Sequence, residues 1–176
     1  IFQILSIQAK AQLDEIAANP HFIGISPSIR NRPLYVEFIM LQVKALSFLA
    51  YIARLFPNLV RPHQALIPAS VVQLYRNCPH ESVFIRKELL VSTRHLFTND
   101  FQKLFVPFVE GFLNESFSLG HGVACNQMIR TLLYSMLADL IHHVRMDLSP
   151  AVLVKVISVF SKNIHDSNLP INLHSM

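Results

Sequence analysis

The chain has 176 residues, of which 52% are hydrophobic and 15% are charged, and its formal net charge is +4. Because charged residues make up about 25% of an ordinary soluble domain, this composition indicates either a membrane protein or a protein whose surface is largely covered. No block of five or more like charges is present, so direct nucleic-acid binding is not indicated. The chain begins at Ile1 and has no secretory signal pattern, and we expect it to be a piece of a longer protein.

Two cysteines, Cys78 and Cys125, lie far apart in the sequence. Such a pair is more typical of a reducing compartment than of a disulfide framework.

The first third of the chain predicts one short and one long helix. Apolar residues at helical spacing predict an amphipathic helix over residues 1–18, and proline, glycine and asparagine predict a loop over residues 19–33. A second, longer helix is predicted from Leu34 to Phe56.

The long helix has nearly the ~20 apolar residues that a membrane span requires. Its polar residues argue against a span, because all of them fall on one narrow face, and Lys44 near the middle would cost roughly 2.5 to 3.5 kcal/mol in a bilayer. We therefore predict no membrane insertion and a helix covered by protein on most sides. The polar residues are Glu37, Lys44, Ser47, Tyr51 and Arg54.

Prolines in the middle of the chain are predicted to start, divide or end helices. Arg61-Pro62 is predicted to begin a helix, because proline is favoured at the first helical position, and Pro68 is predicted to kink or divide that helix. After the break at residues 78–80, the apolar pattern predicts a helix from Glu81 to Phe97.

A further helix is predicted from Phe101 to Asn114, with capping side chains at residues 98–100 and a bend at Pro107. A loop is predicted from Glu115 to Cys125.

The most regular helical pattern in the chain runs from Met128 to Val144. Nine large apolar side chains share one stripe at the 3.6-residue period, which predicts a buried helix face. Ser149-Pro150 then predicts the start of a last helix that ends near Asn163. The stripe comprises Met128, Ile129, Leu132, Leu133, Met136, Leu137, Leu140, Ile141 and Val144.

No segment shows two-residue alternation, so the predicted fold is all-α. Paired helices begin near Leu34, Glu81 and Asn126, which are 47 and 45 residues apart, and this is the spacing of HEAT or armadillo repeats. We predict an α-solenoid of HEAT-type hairpins over residues 34–77, 81–115 and 126–163. Residues 1–18 and 164–176 would belong to the preceding and following repeats, which would cover both ends.

Candidate chemical groups are few, and none forms a convincing catalytic or metal-binding set. Asp139 and His143, with His142 beside them, are spaced so that an acid and a histidine could meet, but no third ligand follows at a defined spacing. A local side-chain pair or a contact to the next helix is the favoured interpretation. An enzyme that uses His142, His143 or Cys125 is the weakest alternative.

Two loop segments could be interpreted as zinc half-sites or as a cysteine–histidine nucleophile: Cys78-Pro79-His80, and the stretch from His121 to Cys125. Neither has the paired spacing of zinc ligands. Gly120-His121-Gly122 is too short for a phosphate loop.

The series Phe101, Phe105, Phe108 and Phe112 has the spacing of a helix core. We assign no catalytic, cofactor-binding or metal residue and no cofactor, and the partner-binding residues are left open.

Three stretches resemble one family. They are KELLVSTRHL at Lys87–Leu96, LYSMLADLIHHVR at Leu133–Arg145 and FSKNIHD at Phe160–Asp166. Together they resemble the N-terminal HEAT-repeat region of the TRRAP family, the transformation/transcription domain-associated proteins and their yeast counterpart. The resemblance covers about residues 32–176, and it departs from the family pattern at Thr131 and Leu133, where proline and alanine are expected.

The resemblance implies a non-catalytic scaffold in the nucleus. Family members are large relatives of the phosphatidylinositol 3-kinase-like kinases with a kinase-like domain that lacks catalytic residues. They are shared subunits of SAGA and NuA4 type histone acetyltransferase complexes, where they receive transcription activators. The expected partners are therefore acetyltransferase-complex subunits and activators, and the alternative is a HEAT-repeat nuclear transport receptor or another solenoid scaffold.

Overall fold

A computed structural model describes residues 1–6, 32–79, 82–97, 101–120 and 127–164. Over these residues the chain forms helices and no strand, which confirms the all-α prediction. Two 3₁₀ segments, Arg61–His63 and Gln102–Phe108, join parts of the chain. The α-helices are α1 (Phe2–Ser6), α2 (Arg32–Leu55), α3 (Pro57–Val60), α4 (Leu66–Asn77), α5 (Val83–Phe97), α6 (Val109–Phe112), α7 (Glu115–Leu119), α8 (Gln127–Val144) and α9 (Pro150–Ile164).

The three long helices α2, α5 and α8 pack side by side in chain order, α2 on α5 and α5 on α8. The shorter elements lie against this row: α4 contacts α1, α2 and α5, α7 contacts α4, α5 and α8, and α9 contacts α6. One continuous hydrophobic core lies between the row and the shorter elements. The row therefore has an inner face on the core and an outer face directed away from it.

Helix α2 buries one face and exposes the other. The five polar residues predicted to share a face are all exposed, as the spacing required. Leu34, Leu41 and Phe48 are exposed beside them, so the prediction that protein covers α2 on most sides is wrong for this chain. Among the described helices, α2 alone has the length and apolar composition that could cross a membrane, a test that core helices of other proteins also pass. Its buried residues are Ile39, Gln42, Val43, Leu46, Leu49, Ala50 and Ala53.

The segment after α2 differs from its prediction. A short helix begins at Pro57, and Arg61-Pro62 continues it as a 3₁₀ turn instead of starting the next helix. Helix α4 begins at Leu66, so Pro68 lies in its first turn, where a backbone N–H has no intrahelical acceptor and proline costs little. The chain is divided just before α4, and Pro68 does not kink the helix.

The predicted helix from Phe101 to Asn114 is a 3₁₀ segment followed by the single turn α6. Pro107 lies inside the 3₁₀ segment, because proline removes one N–H and clashes with the carbonyl that an α-helix would place four residues earlier. The predicted loop after it is wrong for residues 115–119, which form α7. Asn114 caps α7 by accepting a hydrogen bond from the Ser116 N–H at 3.0 Å.

The other long helices agree with the apolar pattern. The predicted helices over 81–97, 128–144 and 150–163 are observed as α5, α8 and α9. On α8, most of the predicted stripe is buried. The predictions for residues 7–31, 98–100 and 165–176 lie outside the described residues, as do those for His80 and the stretch from His121 to Cys125.

Candidate protein-interaction surface

The outer face of the helix row has a groove of about 380 Å³ between α2 and α5. Three aromatic side chains at this groove are largely exposed: Phe48 by 55%, Tyr51 by 60% and Phe84 by 64%. Single exposed apolar residues are ordinary, whereas a cluster is typical of an interaction site. The residues that line the groove are Met40, Val43, Lys44, Ser47, Phe48, Tyr51, Phe84, Glu88 and Ser92.

The groove also has one charged group of each sign. Lys44 is exposed on α2, and Glu88 is half-buried on α5. Neither side chain forms an ion pair with another residue in the described parts of the chain. Both charges are therefore available to a ligand that enters the groove.

Further along the outer face, an ion pair joins α5 to α8. The Arg94 Nε donates a hydrogen bond to the Asp139 carboxylate at 2.6 Å. The Nδ1 of His143 lies 2.7 Å from the Asp139 carbonyl oxygen, so His143 contacts the backbone of this residue. The Asp139 carboxylate is thus held by α5, the long helix that precedes α8 in the chain.

The other histidine of the pair has a separate contact. Arg145 Nη1 lies 3.2 Å from His142 Nδ1, and the His142 and His143 rings are 5.3 Å apart and nearly perpendicular. Within the described ranges, no group of three or more histidine, cysteine or acidic side chains could hold a metal ion.

The remaining sequence candidates lie in the core or outside the described residues. Cys78 is buried, and its Sγ lies 3.8 Å from the Pro79 carbonyl oxygen. Gly120 ends α7 with a φ of 87°, a left-handed conformation that glycine adopts without strain. Phe101, Phe105 and Phe112 are buried, and Phe108 is half-buried, so this series belongs to the core.

A polar cluster joins α7, α8 and α9. Glu115 Oε1 accepts hydrogen bonds from Arg130 Nε at 2.9 Å and from the Tyr134 hydroxyl at 2.6 Å. Arg130 also donates to the Asn163 side-chain oxygen at 3.2 Å. Burial, followed by the adjacent Glu115 carboxylate, raises the pKa of Tyr134 well above its usual value, because both disfavour a phenolate.

Arg86 is a key residue that the sequence analysis did not single out. Its guanidinium is fully buried and donates hydrogen bonds to four backbone carbonyls on two separate segments. The acceptors are the carbonyl oxygens of Cys78 at 2.7 Å, Pro79 at 3.3 Å, Phe117 at 3.1 Å and Ser118 at 3.3 Å. Arg86 lies beside Ile85 and one turn before Leu89 and Leu90, so the helical period places it on the buried stripe of α5. Its burial could have been predicted from that spacing.

Comparison with known proteins identifies the family. Residues 34–176 match the family model described as the Tra1 HEAT repeat central region. The chain is 42% identical to Transcription-associated protein 1 of Drosophila melanogaster, with 88% of this chain covered. It is 37% identical over its whole length to the Transformation/transcription domain-associated protein of Homo sapiens.

The chain is also 37% identical, over 91% of its length, to the SAGA complex/NuA4 acetyltransferase complex subunit Tra1 of Schizosaccharomyces pombe. In each comparison it spans 4% of the relative's length. No solved structure matches the chain. With the helical architecture, these findings confirm the predicted solenoid and the family resemblance: the chain belongs to the TRRAP/Tra1 family and is part of its HEAT-repeat region.

Proposed function

We propose that this chain is a non-catalytic scaffold segment of a nuclear TRRAP-like subunit of SAGA or NuA4 type histone acetyltransferase complexes. The observation that carries the proposal is the family match over residues 34–176, together with relatives named as subunits of those complexes. In this proposal the parent protein has a kinase-like domain without catalytic residues elsewhere. The segment serves complex assembly and the recruitment of transcription activators.

The packing of the helices supports a scaffold role. Each long helix of the row contacts the next one, so hairpins over residues 34–77, 81–115 and 126–163 would stack along one axis. Val154 and Ile157 on α9 are 66% and 67% exposed, and a following repeat that begins within residues 164–176 would cover them. A preceding repeat would contain residues 1–18.

The same architecture supports partners that are proteins. The apolar surface of the row would be covered by subunits or activators, which explains an apolar composition without a membrane. The ion pairs among the described residues join different elements of the chain, and no direct nucleic-acid contact is part of the proposal.

Affinity purification of the full-length parent protein from nuclear extract, followed by mass spectrometry, tests the proposal. We expect histone acetyltransferase and adaptor subunits to be recovered in stoichiometric amounts. Recovery of a Ran-type GTPase and transport cargo instead would identify a nuclear transport receptor and overturn the coactivator assignment.

A further inference from the structure

We propose that the groove between α2 and α5 binds one amphipathic helix of another protein, with a carboxylate on the edge above α2 and a cation on the edge above α5. The apolar side of that helix would lie against Phe48, Tyr51 and Phe84. This inference rests on the proposed scaffold function, because it names the kind of segment that the scaffold holds at this surface.

The groove lies on a face that the stacking of hairpins does not use. At about 100° per residue, Phe48 is roughly 180° around α2 from the fully buried Ile39. Within the described residues, α2 contacts α1, α3, α4 and α5, and its buried side chains are those on the side of Ile39. The aromatic side chains therefore face outward from the row, where a second protein can reach them.

The length of the groove suits a helix. Its lining residues on α2 run from Met40 to Tyr51, which at 1.5 Å per residue is roughly 16 Å, or three helical turns. A helix that docks in an apolar groove presents anchors at positions i, i+3 or i+4, and i+7, which span about two turns. The groove can therefore hold such a set of anchors.

The two charges define the orientation of the bound helix. Lys44 and Glu88 line the same groove from different helices, and neither forms an ion pair within the described residues. A bound carboxylate near Lys44 and a bound cation near Glu88 would be attracted. A helix with the opposite arrangement would meet two like-charge contacts, which cost affinity and give specificity.

The experiment uses the full-length parent protein in its assembled complex. The photo-reactive residue p-benzoylphenylalanine replaces Phe48, and the cross-linked peptide is sequenced by mass spectrometry. A matched control places the same residue at Met146, which is 88% exposed and lies outside the groove. We expect Phe48, and not Met146, to cross-link to one segment of another protein that has an apolar helical stripe with an acidic and a basic edge.

Charge reversal then tests the orientation. Lys44→Glu and Glu88→Lys should each lower the cross-linking yield on the order of tenfold, the effect of about 1.4 kcal/mol. Yield should return in the Lys44→Glu/Glu88→Lys double variant when the partner segment carries reversed charges. Circular dichroism of each variant checks that the helices are retained.

Several outcomes would overturn the inference. They are a cross-link to this protein's own chain, labelling of lipid, a partner segment without a helical stripe, or yields that do not respond to either charge reversal. If acetyltransferase subunits co-purify but no cross-link forms, the groove proposal fails and the proposed function stands. If those subunits do not co-purify with the unmodified protein, the proposed function itself fails.

Discussion

At the scale of single residues, Arg86 connects two parts of the chain that meet only in three dimensions. Its buried guanidinium binds carbonyls at the end of α4 and in the last turn of α7. Carbonyls at helix ends have no intrahelical donors, and a planar group with five N–H donors can satisfy several of them at once. A lysine ammonium has three donors on a single atom, so it cannot donate to the carbonyls of both segments at once.

We therefore expect Arg86→Lys to lower the free energy of unfolding by about 2 kcal/mol and Arg86→Met by about 3 kcal/mol, because buried carbonyls lose their donors. Urea denaturation followed by circular dichroism measures both values. Lys87→Met on the exposed side of α5 is the matched control, with an expected change below about 0.5 kcal/mol. Equal losses for the two positions would show that the carbonyl contacts are not important.

Tyr134 predicts a dependence of stability on alkaline pH. Its pKa is raised in the folded protein by burial and then by the Glu115 carboxylate. The folded state holds the phenol proton more tightly than the unfolded state, so this contribution is complete below the unfolded pKa of about 10 and is lost as the pH rises above it.

Tyr134→Phe should therefore flatten the fall in unfolding free energy above about pH 10. The measurement is urea denaturation at a series of pH values between neutral and strongly alkaline. Tyr51→Phe, which removes an exposed hydroxyl, is the matched control. The same change of slope in both variants would contradict the assignment to Tyr134.

At the scale of elements, the short helices depend on tertiary contacts. Helices α6 and α7 have four and five residues, far fewer than the roughly 12 that an isolated helix needs in water. They are held by an aromatic cluster around Phe112. The ring of Phe112 lies 5.4 Å from Tyr75, 6.1 Å from Phe97, 6.4 Å from Phe105 and 5.9 Å from Phe117, measured between centroids.

Phe112→Ala should lower the free energy of unfolding by about 3 to 5 kcal/mol, because it removes a buried ring and leaves a cavity among four others. Phe48→Ala replaces an exposed ring on α2 and should cost less than about 1 kcal/mol. Thermal unfolding of both variants under the same conditions provides the comparison. A loss at Phe112 no larger than that at Phe48 would refute the proposed role of the cluster.

At the scale of the whole molecule, the long helices α2, α5 and α8 pack in chain order, as in a solenoid. A solenoid of this kind needs capping surfaces at its ends, since an uncapped end exposes apolar side chains. Val154 and Ile157 on α9 are exposed apolar side chains of this kind.

We expect the isolated chain to self-associate through α9, because exposed apolar patches without a partner favour aggregation. Val154→Glu/Ile157→Glu should reduce the weight-average mass in sedimentation experiments while leaving the helical content unchanged. A control with Ala65→Glu/Ala69→Glu adds two charges on exposed positions at the start of α4, away from α9. If the control reduces association equally, added charge and not the loss of apolar surface is responsible.

The long helices could be predicted from the sequence, because a helix that buries one face must repeat its apolar residues every three or four positions. The pattern therefore located α2, α5, α8 and α9, and it placed the polar side chains of α2 on one exposed face. The pattern failed at Pro68, which lies in the first turn of α4 and does not kink it. It also failed at α7, which forms after the capping residue Asn114. Element ends of this kind are decided by a few local hydrogen bonds.

Sequence by itself determined the helical class, the repeat spacing and the family resemblance, since each depends on residues that are close along the chain. Only the tertiary structure decided that Asp139 pairs with Arg94, that Arg86 is buried, and that Phe48, Tyr51 and Phe84 share a groove. Arg94 and Asp139 are 45 residues apart. Contacts at such separations follow from the packing of whole helices, which no local periodicity specifies.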